Sequence, residues 1–378
     1  MAEAVAAAVL FEQRLAGGGR FVGYATLNAE KSLNSLSLEM VRLLSAQLRE
    51  WAVDPAIACV VLRGAGEKAF CAGGDIRSLY RAMREHPGVL PNPPNLEFFS
   101  EEYRLDHFIH EFPKPVLVWG SGIVMGGGLG LMAGASHRVV TETSRVAMPE
   151  ITIGLFPDVG GSYFLSRMPR AFGLFLALTG ASINGNDLKL AGLADHFVKS
   201  ADRDAIFTAL EKIEWTEDRA ANAGLLARLL EDFGARATEA LPKSNLATHR
   251  AELEKLTAGG TLAEVHAAIT GYAGEDAWLA KAAKSLAAGS PTTAGLVWEL
   301  LARAKGMSLA DVFRMELIVA LQCCAHPDFV EGVRALLIDK DNAPKWSPAT
   351  LAELTPAYVA EHFVAPVWPT GEHPLADL

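Results

Sequence analysis

Two carboxylates, Glu150 and Asp158, lie eight positions apart in the stretch VAMPEITIGLFPDVGGSYFL, Val146–Leu165, among apolar residues, prolines and glycines. A carboxylate removed from water is costly unless it is paired, hydrogen-bonded or protonated. Acids set where their neighbours favour burial are therefore candidates for chemistry, one as base or nucleophile, the other as acid or hydroxyl partner. Glu150 follows a proline, which ends a strand and presents the side chain at a turn. Asp158 sits in PDVGG ahead of a helix, where the plainer role is an N-cap or turn aspartate.

Two glycine clusters offer a different group. AFCAGGDI (Ala69–Ile76) and VMGGGLG (Val124–Gly130) each place glycines after a buried-strand pattern and at the start of a helix. A tight turn with no room for a Cβ explains most such clusters. A pair of them also leaves bare peptide N–H groups at two strand ends, which is what an oxyanion hole requires. A rival reading is a dinucleotide fingerprint, Gly128-x-Gly130-x-x-Ala133, with Glu150 twenty residues beyond Gly130. In that motif the acid ends the strand after a crossover helix, whereas Glu150 follows Met148-Pro149 and heads a loop. Glu101 and Glu102 share a helix with Phe98, Leu105, Ile109 and Phe112. Both acids fall at edges of that apolar stripe, so periodicity does not choose between them. His107 and His110 lack an HExxH-type partner, and Cys59, Cys71, Cys323 and Cys324 show no ligand spacing, so no metal is expected.

The elements that position these groups follow from pattern. Val9–Gln13 and Phe21–Leu27 read as a hairpin turned by Gly17–Gly19. Ser37 caps a helix carrying Val41, Leu44, Leu48 and Trp51 on one face. Cys59–Gly64 and Val116–Val124 read as strands buried on both sides. Between them lie a short helix from about Asp75, a Pro-rich loop at His86–Asn95 and a helix from Leu96 to Phe112. Short strands are expected at Arg138–Thr141 and Arg145–Met148. The alternation predicts an α/β body over residues 1–202. Residues 203–378 are expected to form a mainly helical region.

The chain has 378 residues and a formal charge of −10, which argues against nonspecific nucleic-acid binding. The cysteines suit a reducing compartment. No apolar run is long enough to span a bilayer, and MAEAVAAAVLFEQ lacks a basic leader pattern; the expectation is a cytoplasmic protein.

Taken together, AFCAGGDI, GSGIVMGGGLGL and AMPEITIGLFPDVGG resemble the crotonase (enoyl-CoA hydratase/isomerase) superfamily. The likeness extends through TLNAEKSLNSLS, FFSEEYRLD and DFVEGVRALLIDKDNAPKW, and so covers most of the chain. It implies a crotonase (ClpP/crotonase-like) spiral of ββα units with a helical C-terminal region. It also implies that Ala72 and Gly127 supply the oxyanion-hole amides, and that Glu150 and Asp158 are the catalytic acids. Glu102 would contact substrate, Gly73, Gly74, Asp75 and Gly126 would line its site, and Lys31, Ser32 and Leu33 would hold the coenzyme A moiety. Gly130 stands where hydratases of the superfamily carry a second catalytic glutamate, and Asp158 where they have a small residue. The resemblance therefore implies hydrolysis of the thioester of a short 3-hydroxyacyl-CoA, with 3-hydroxyisobutyryl-CoA, from valine breakdown, as the expected substrate. The alternative is an enoyl-CoA hydratase or isomerase using Glu150 alone. A non-catalytic CoA- or RNA-binding relative is disfavoured by the acid pair and the acidic balance. No cofactor is implied beyond the coenzyme A of the substrate, and a homo-oligomer is left open, since members commonly form trimers or hexamers.

Overall fold

The computed structural model describes residues 7–378. The chain opens with an antiparallel hairpin, β1 (Val9–Leu15) and β2 (Phe21–Leu27), in which Val9 faces Leu27 and Leu15 faces Phe21. Gly18 and Gly19 turn it with φ of 69° and 68°, a conformation that glycine adopts without steric cost. Helix α1 (Leu38–Val53) starts where expected: the Ser37 hydroxyl accepts the Met40 N–H at 3.2 Å, a cap worth about 1 kcal/mol. Its buried face comprises Met40, Val41, Leu44, Leu48 and Trp51. Strand β3 (Ile57–Gly64) is buried without interruption from Ile57 to Leu62, the signature of a strand covered on both faces.

Next come β4 (Ala69–Cys71), α2 (Ile76–Glu85), α3 (Pro93–His110), β5 (Val116–Gly120) and β6 (Ile123–Met125). These are followed by α4 (Gly127–Ala133), β7 (His137–Val140), β8 (Arg145–Ala147), α5 (Gly161–Arg167), β9 (Ile183–Asn184) and β10 (His196–Phe197). The single strand expected over Val116–Val124 is in fact two, β5 and β6, in different sheets. The break is at Gly122, whose φ is 71° and where a Cβ would lie 2.3 Å from the Lys68 carbonyl oxygen. The corner falls on Gly120-Ser121-Gly122, a glycine-serine cluster of the kind that punctuates strands.

One sheet has the order β1-β2-β3-β5-β7-β10, and the other β4-β6-β8-β9. From β2 to β10 the first sheet is parallel throughout. The chain divides into two compact units, and the division is not the linear one expected at residue 202. The first unit contains the chain up to Gly74 with Phe108–Val146 and Ile183–Ser244; the second contains Asp75–His107, Ala147–Ser182 and Asn245–Leu378. Within the first unit, Leu226, Leu230 and Phe233 of the helix Arg219–Ala235 share a core with Tyr24, Val61 and Trp119 of the sheet. Apolar burial, not position in the chain, assigns that helix to the sheet.

Beyond residue 203 the described elements are helical. In the second unit the C-terminal tail is tied to the helix Leu309–Ala325. Arg314 donates to the Leu375 carbonyl at 3.0 Å and to the Leu378 carbonyl at 2.5 Å, and Leu375 is fully buried. No helix among the described residues is long and apolar enough to cross a membrane. All four cysteines are buried. Among the described residues, no group of three or more His, Cys, Asp and Glu side chains is placed to hold a metal ion.

Candidate active site

In the first unit, β4 and β6 are parallel neighbours, pairing Ala69 with Ile123 and Cys71 with Val124. Each strand ends in one of the glycine turns. A Cβ on Gly128 would lie 2.3 Å from the Cys71 carbonyl oxygen, so the two backbones approach more closely than any side chain permits. Gly73 has φ of 108° and Gly126 φ of 46°, which adds a conformational demand for glycine. The Leu33–Leu36 segment fastens the first turn: the Leu36 N–H donates to the Gly73 carbonyl at 2.8 Å, and the Ser35 hydroxyl to the Gly74 carbonyl at 3.1 Å.

The same segment overturns one expectation. The Ala72 N–H donates to the Leu33 carbonyl at 3.0 Å, so it is not open to a ligand. The N–H groups of Gly74 and Gly127 have no acceptor among the described residues. Which N–H of a glycine turn faces outward is set by its φ and ψ, here by the positive φ of Gly73, and residue order does not reveal it. Asp75 is likewise occupied. Its oxygens accept the Ser78 N–H at 3.2 Å and the Ser78 hydroxyl at 2.5 Å, capping α2. Lys31 is exposed on a 3₁₀ turn, Glu30–Ser32, and Leu33, half-buried, follows with φ of 56°.

In the second unit Asp158 lies within electrostatic range of each of Glu102, Asp106, Glu150 and Glu316. Glu150 heads a 3₁₀ turn, Glu150–Thr152, directly after Pro149, and its Oε2 has no partner among the described residues. The turn is held by Ile153 and Leu155, whose N–H groups both donate to the Glu150 carbonyl, at 3.0 and 3.1 Å. Asp158 does not cap the helix that follows it; the N-cap of α5 is Gly160. Instead the Asp158 Oδ2 accepts the Tyr103 hydroxyl at 2.7 Å, a buried bond to a carboxylate worth about 2 kcal/mol. The choice that periodicity left open falls to Glu102, which is 2% exposed, while Glu101 is only half-buried.

Burial pushes every one of these acids upward, and no cation among the causes offsets it. Asp158 is raised to about 6 by burial, with the Tyr103 hydrogen bond opposing. Glu316 is raised to about 8 by burial, opposed by the Gly160 N–H. Glu150 is held well above the usual carboxylate range by burial and then by the Asp158 charge. Glu102 and Asp106, one helical turn apart, are pushed up by burial and, beyond that, by neighbouring acids.

A group that binds protons more tightly in the folded state stabilises the fold fully below its unfolded pKa, and loses that contribution as pH rises through the folded value. For Glu316 that loss runs from the ordinary glutamate value of 4.5 up through about 8. The depressed histidines, His362 at about 4 among them, act in the opposite sense but only below their unfolded value of 6.5. The melting temperature is therefore expected to fall between pH 7 and 8.5 in thermal scans, and less steeply in Glu316→Gln. A flat or rising profile in the wild type would contradict the burial argument.

Three members of this cluster escaped the sequence reading. Tyr103 carries no local signal. Asp106 lies four residues after Glu102, a spacing that puts two acids on one helix face. Glu316 stands in RMELIVALQCC, an acid in an apolar run, the same signal that singled out Glu150.

A sequence profile of the enoyl-CoA hydratase/isomerase family matches residues 22–363. The chain is 40% identical over 347 residues to the mitochondrial 3-hydroxyisobutyryl-CoA hydrolase of Danio rerio, covering 90% of this chain and 86% of that protein. It is 37% identical to the enzyme of the same name from Homo sapiens, with the same coverage. Among solved structures it is similar to a carnitinyl-CoA dehydratase from Mycobacterium thermoresistibile, with a TM-score of 0.82 and 37% identity over 94% of this chain and 96% of that one. An enoyl-CoA hydratase from Rhodobacter sphaeroides superposes with a TM-score of 0.81 at 34% identity, over 95% of this chain and 97% of that one. With its parallel sheets, its paired glycine turns and a profile match spanning nearly its whole length, the chain belongs to the enoyl-CoA hydratase/isomerase, or crotonase, family.

Proposed function

We propose that the protein hydrolyses the thioester of a short 3-hydroxyacyl-CoA, with 3-hydroxyisobutyryl-CoA as substrate and 3-hydroxyisobutyrate and coenzyme A as products, in valine catabolism. The observation that carries this reading is Glu150: a carboxylate 5% exposed, with an unpartnered oxygen, on a chain 37–40% identical to hydrolases of that name. The N–H groups of Gly74 and Gly127 take the thioester oxygen as it becomes an oxyanion, a role in which one donor is worth about 3 kcal/mol. Glu150 either attacks the carbonyl carbon, giving an anhydride and expelling the thiolate, or removes a proton from the attacking water. Asp158, oriented by Tyr103, accepts the substrate 3-hydroxyl and assists proton transfer, and Glu102 contacts the acyl group. Lys31 and Leu33 hold the coenzyme A moiety. No cofactor takes part. The buried cysteines suit a reducing compartment, cytoplasmic or the mitochondrial interior that the relatives' names state.

The names of the two structural relatives, a dehydratase and a hydratase, favour a second reading, addition or removal of water across a double bond. That chemistry uses two proton-transfer groups, and α4, reading GGLGLMA, contains no ionisable side chain. A thiol-release assay over hydroxylated and plain short acyl-CoAs, with enoyl-CoA absorbance followed in parallel, separates the two. Thiol release from 3-hydroxyisobutyryl-CoA supports hydrolysis. Enoyl loss without thiol release overturns it.

Tyr103→Phe tests the tuning of Asp158. The hydroxyl stabilises the ionised carboxylate, so its removal raises the Asp158 pKa further above about 6. The acidic limb of the kcat/KM profile is expected to move to higher pH, with the plateau rate changed less than the limb. An unmoved limb would detach Asp158 from the rate.

A further inference from the structure

The turn that carries Asp158 is one its own residues disfavour. Val159 has φ of 51° and Gly160 φ of 83°, two successive left-handed residues, the first β-branched. A β-branched side chain in that region is an outlier that persists only where surrounding structure enforces it. The enforcing group comes from far along the chain. Glu316, on the helix Leu309–Ala325 and fully buried, accepts the Gly160 N–H on Oε2 at 2.7 Å and the Ser162 N–H on Oε1 at 2.9 Å. One turn earlier, the Phe313 ring lies 3.4 Å from where a Gly160 Cβ would stand and 5.6 Å, centre to centre, from the Tyr103 ring. A single helix thus bears on both the turn and the tyrosine that orients Asp158.

A carboxyl group is an expensive way to fill a core. Glu316 has no ion-pair partner among the described residues, and burial raises it to about 8. An apolar residue of similar volume would fill the space at lower cost, but would leave two buried peptide N–H groups without acceptors. We propose that Glu316 is a positioning residue for substrate selection: its two oxygens hold the Gly160 and Ser162 peptides, and thereby keep the Val159–Gly160 turn in the conformation that presents Asp158 to the substrate 3-hydroxyl. This inference rests on the hydroxyl-binding role proposed for Asp158.

Glu316→Gln leaves one acceptor and turns an NH₂ group toward the second N–H; Glu316→Asp keeps both oxygens on a shorter arm. The experiment measures kcat and KM of both variants on 3-hydroxyisobutyryl-CoA and isobutyryl-CoA, with Asp158→Asn as the second arm of a double-mutant cycle. Glu316→Gln is expected to lower kcat/KM on the hydroxylated substrate by about 10²-fold, the effect of misplacing a reacting group by about 1 Å. The loss on isobutyryl-CoA is expected to be much smaller, and in the Asp158→Asn background the extra loss on the hydroxylated substrate should vanish. Glu316→Asp should fall between wild type and Glu316→Gln. Equal losses on both substrates, or an undiminished loss without Asp158, would make Glu316 a clip for the fold alone and overturn the inference. Should Glu316→Gln not fold, the same comparison with Glu316→Asp decides it. If Asp158→Asn itself leaves the preference for the hydroxylated substrate intact, the reading of Asp158 fails and this inference falls with it. If Asp158→Asn removes the preference while Glu316→Gln does not, only the inference fails.

Discussion

Glu150→Gln is expected to lower kcat/KM for thiol release by at least about 10³-fold, since it removes the group proposed above as nucleophile or general base. The amide has nearly the volume of the acid, so packing is preserved. It also removes a buried group whose charged form is penalised by burial and by the neighbouring Asp158. The melting temperature should therefore hold or rise, in line with the trade-off by which active sites store instability. Loss of activity with an unchanged or higher melting temperature supports Glu150 at the centre of the reaction. A rate within a few-fold of wild type would remove it from that role under either hydrolytic route, because the nucleophilic and the general-base route both pass through this carboxylate.

Isobutyryl-CoA, which differs from the proposed substrate by one hydroxyl, should be hydrolysed with kcat/KM lower by on the order of 10⁴-fold. Sites built to hydrogen-bond a hydroxyl reject the analogue lacking it far more strongly than apolar pockets reject a missing methylene. The reason lies in what is left behind. Asp158 is 5% exposed and spends Oδ2 on Tyr103. A plain acyl chain would desolvate its other oxygen and offer nothing in return. A pKa raised to about 6 still leaves Asp158 mostly ionised at neutral pH, as the proposed acceptor role requires. Asp158→Asn should compress the gap between the two substrates chiefly by slowing the hydroxylated one. Equal rates of the wild type on both substrates would leave Asp158 without its proposed task.

Both predictions concern acids that declared themselves locally. Glu150 and Asp158 were visible because a carboxylate in an apolar, proline- and glycine-rich stretch is an anomaly whatever the fold. The glycine turns were visible for a similar reason, and the structure adds the cause: at Gly128 the approaching Cys71 carbonyl leaves no room for a Cβ. The hairpin, α1 with its Ser37 cap, and β3 followed from short-range periodicity and from a cap whose donor lies three residues away.

Other features depend on groups distant in sequence or on dihedral angles that residue types do not encode. Whether Ala72 or Gly74 offers its N–H depends on a hydrogen bond to Leu33, some forty residues earlier, and on the positive φ of Gly73. The break between β5 and β6 falls at Gly120-Ser121-Gly122, but that it sends the chain into a second sheet depends on the positive φ of Gly122 and on its close approach to the distant Lys68 carbonyl. The helix Arg219–Ala235 reads as part of a helical tail, yet its apolar face completes the core over the first sheet. By itself the sequence determined the family, the local elements and the residue types able to do chemistry, because each rests on interactions within a turn or two of chain. The tertiary structure alone decided which peptide nitrogens stay unpaired, which acids share one buried cluster, and that Glu316 holds the turn of Asp158, because burial and long-range hydrogen bonds arise only when distant segments pack.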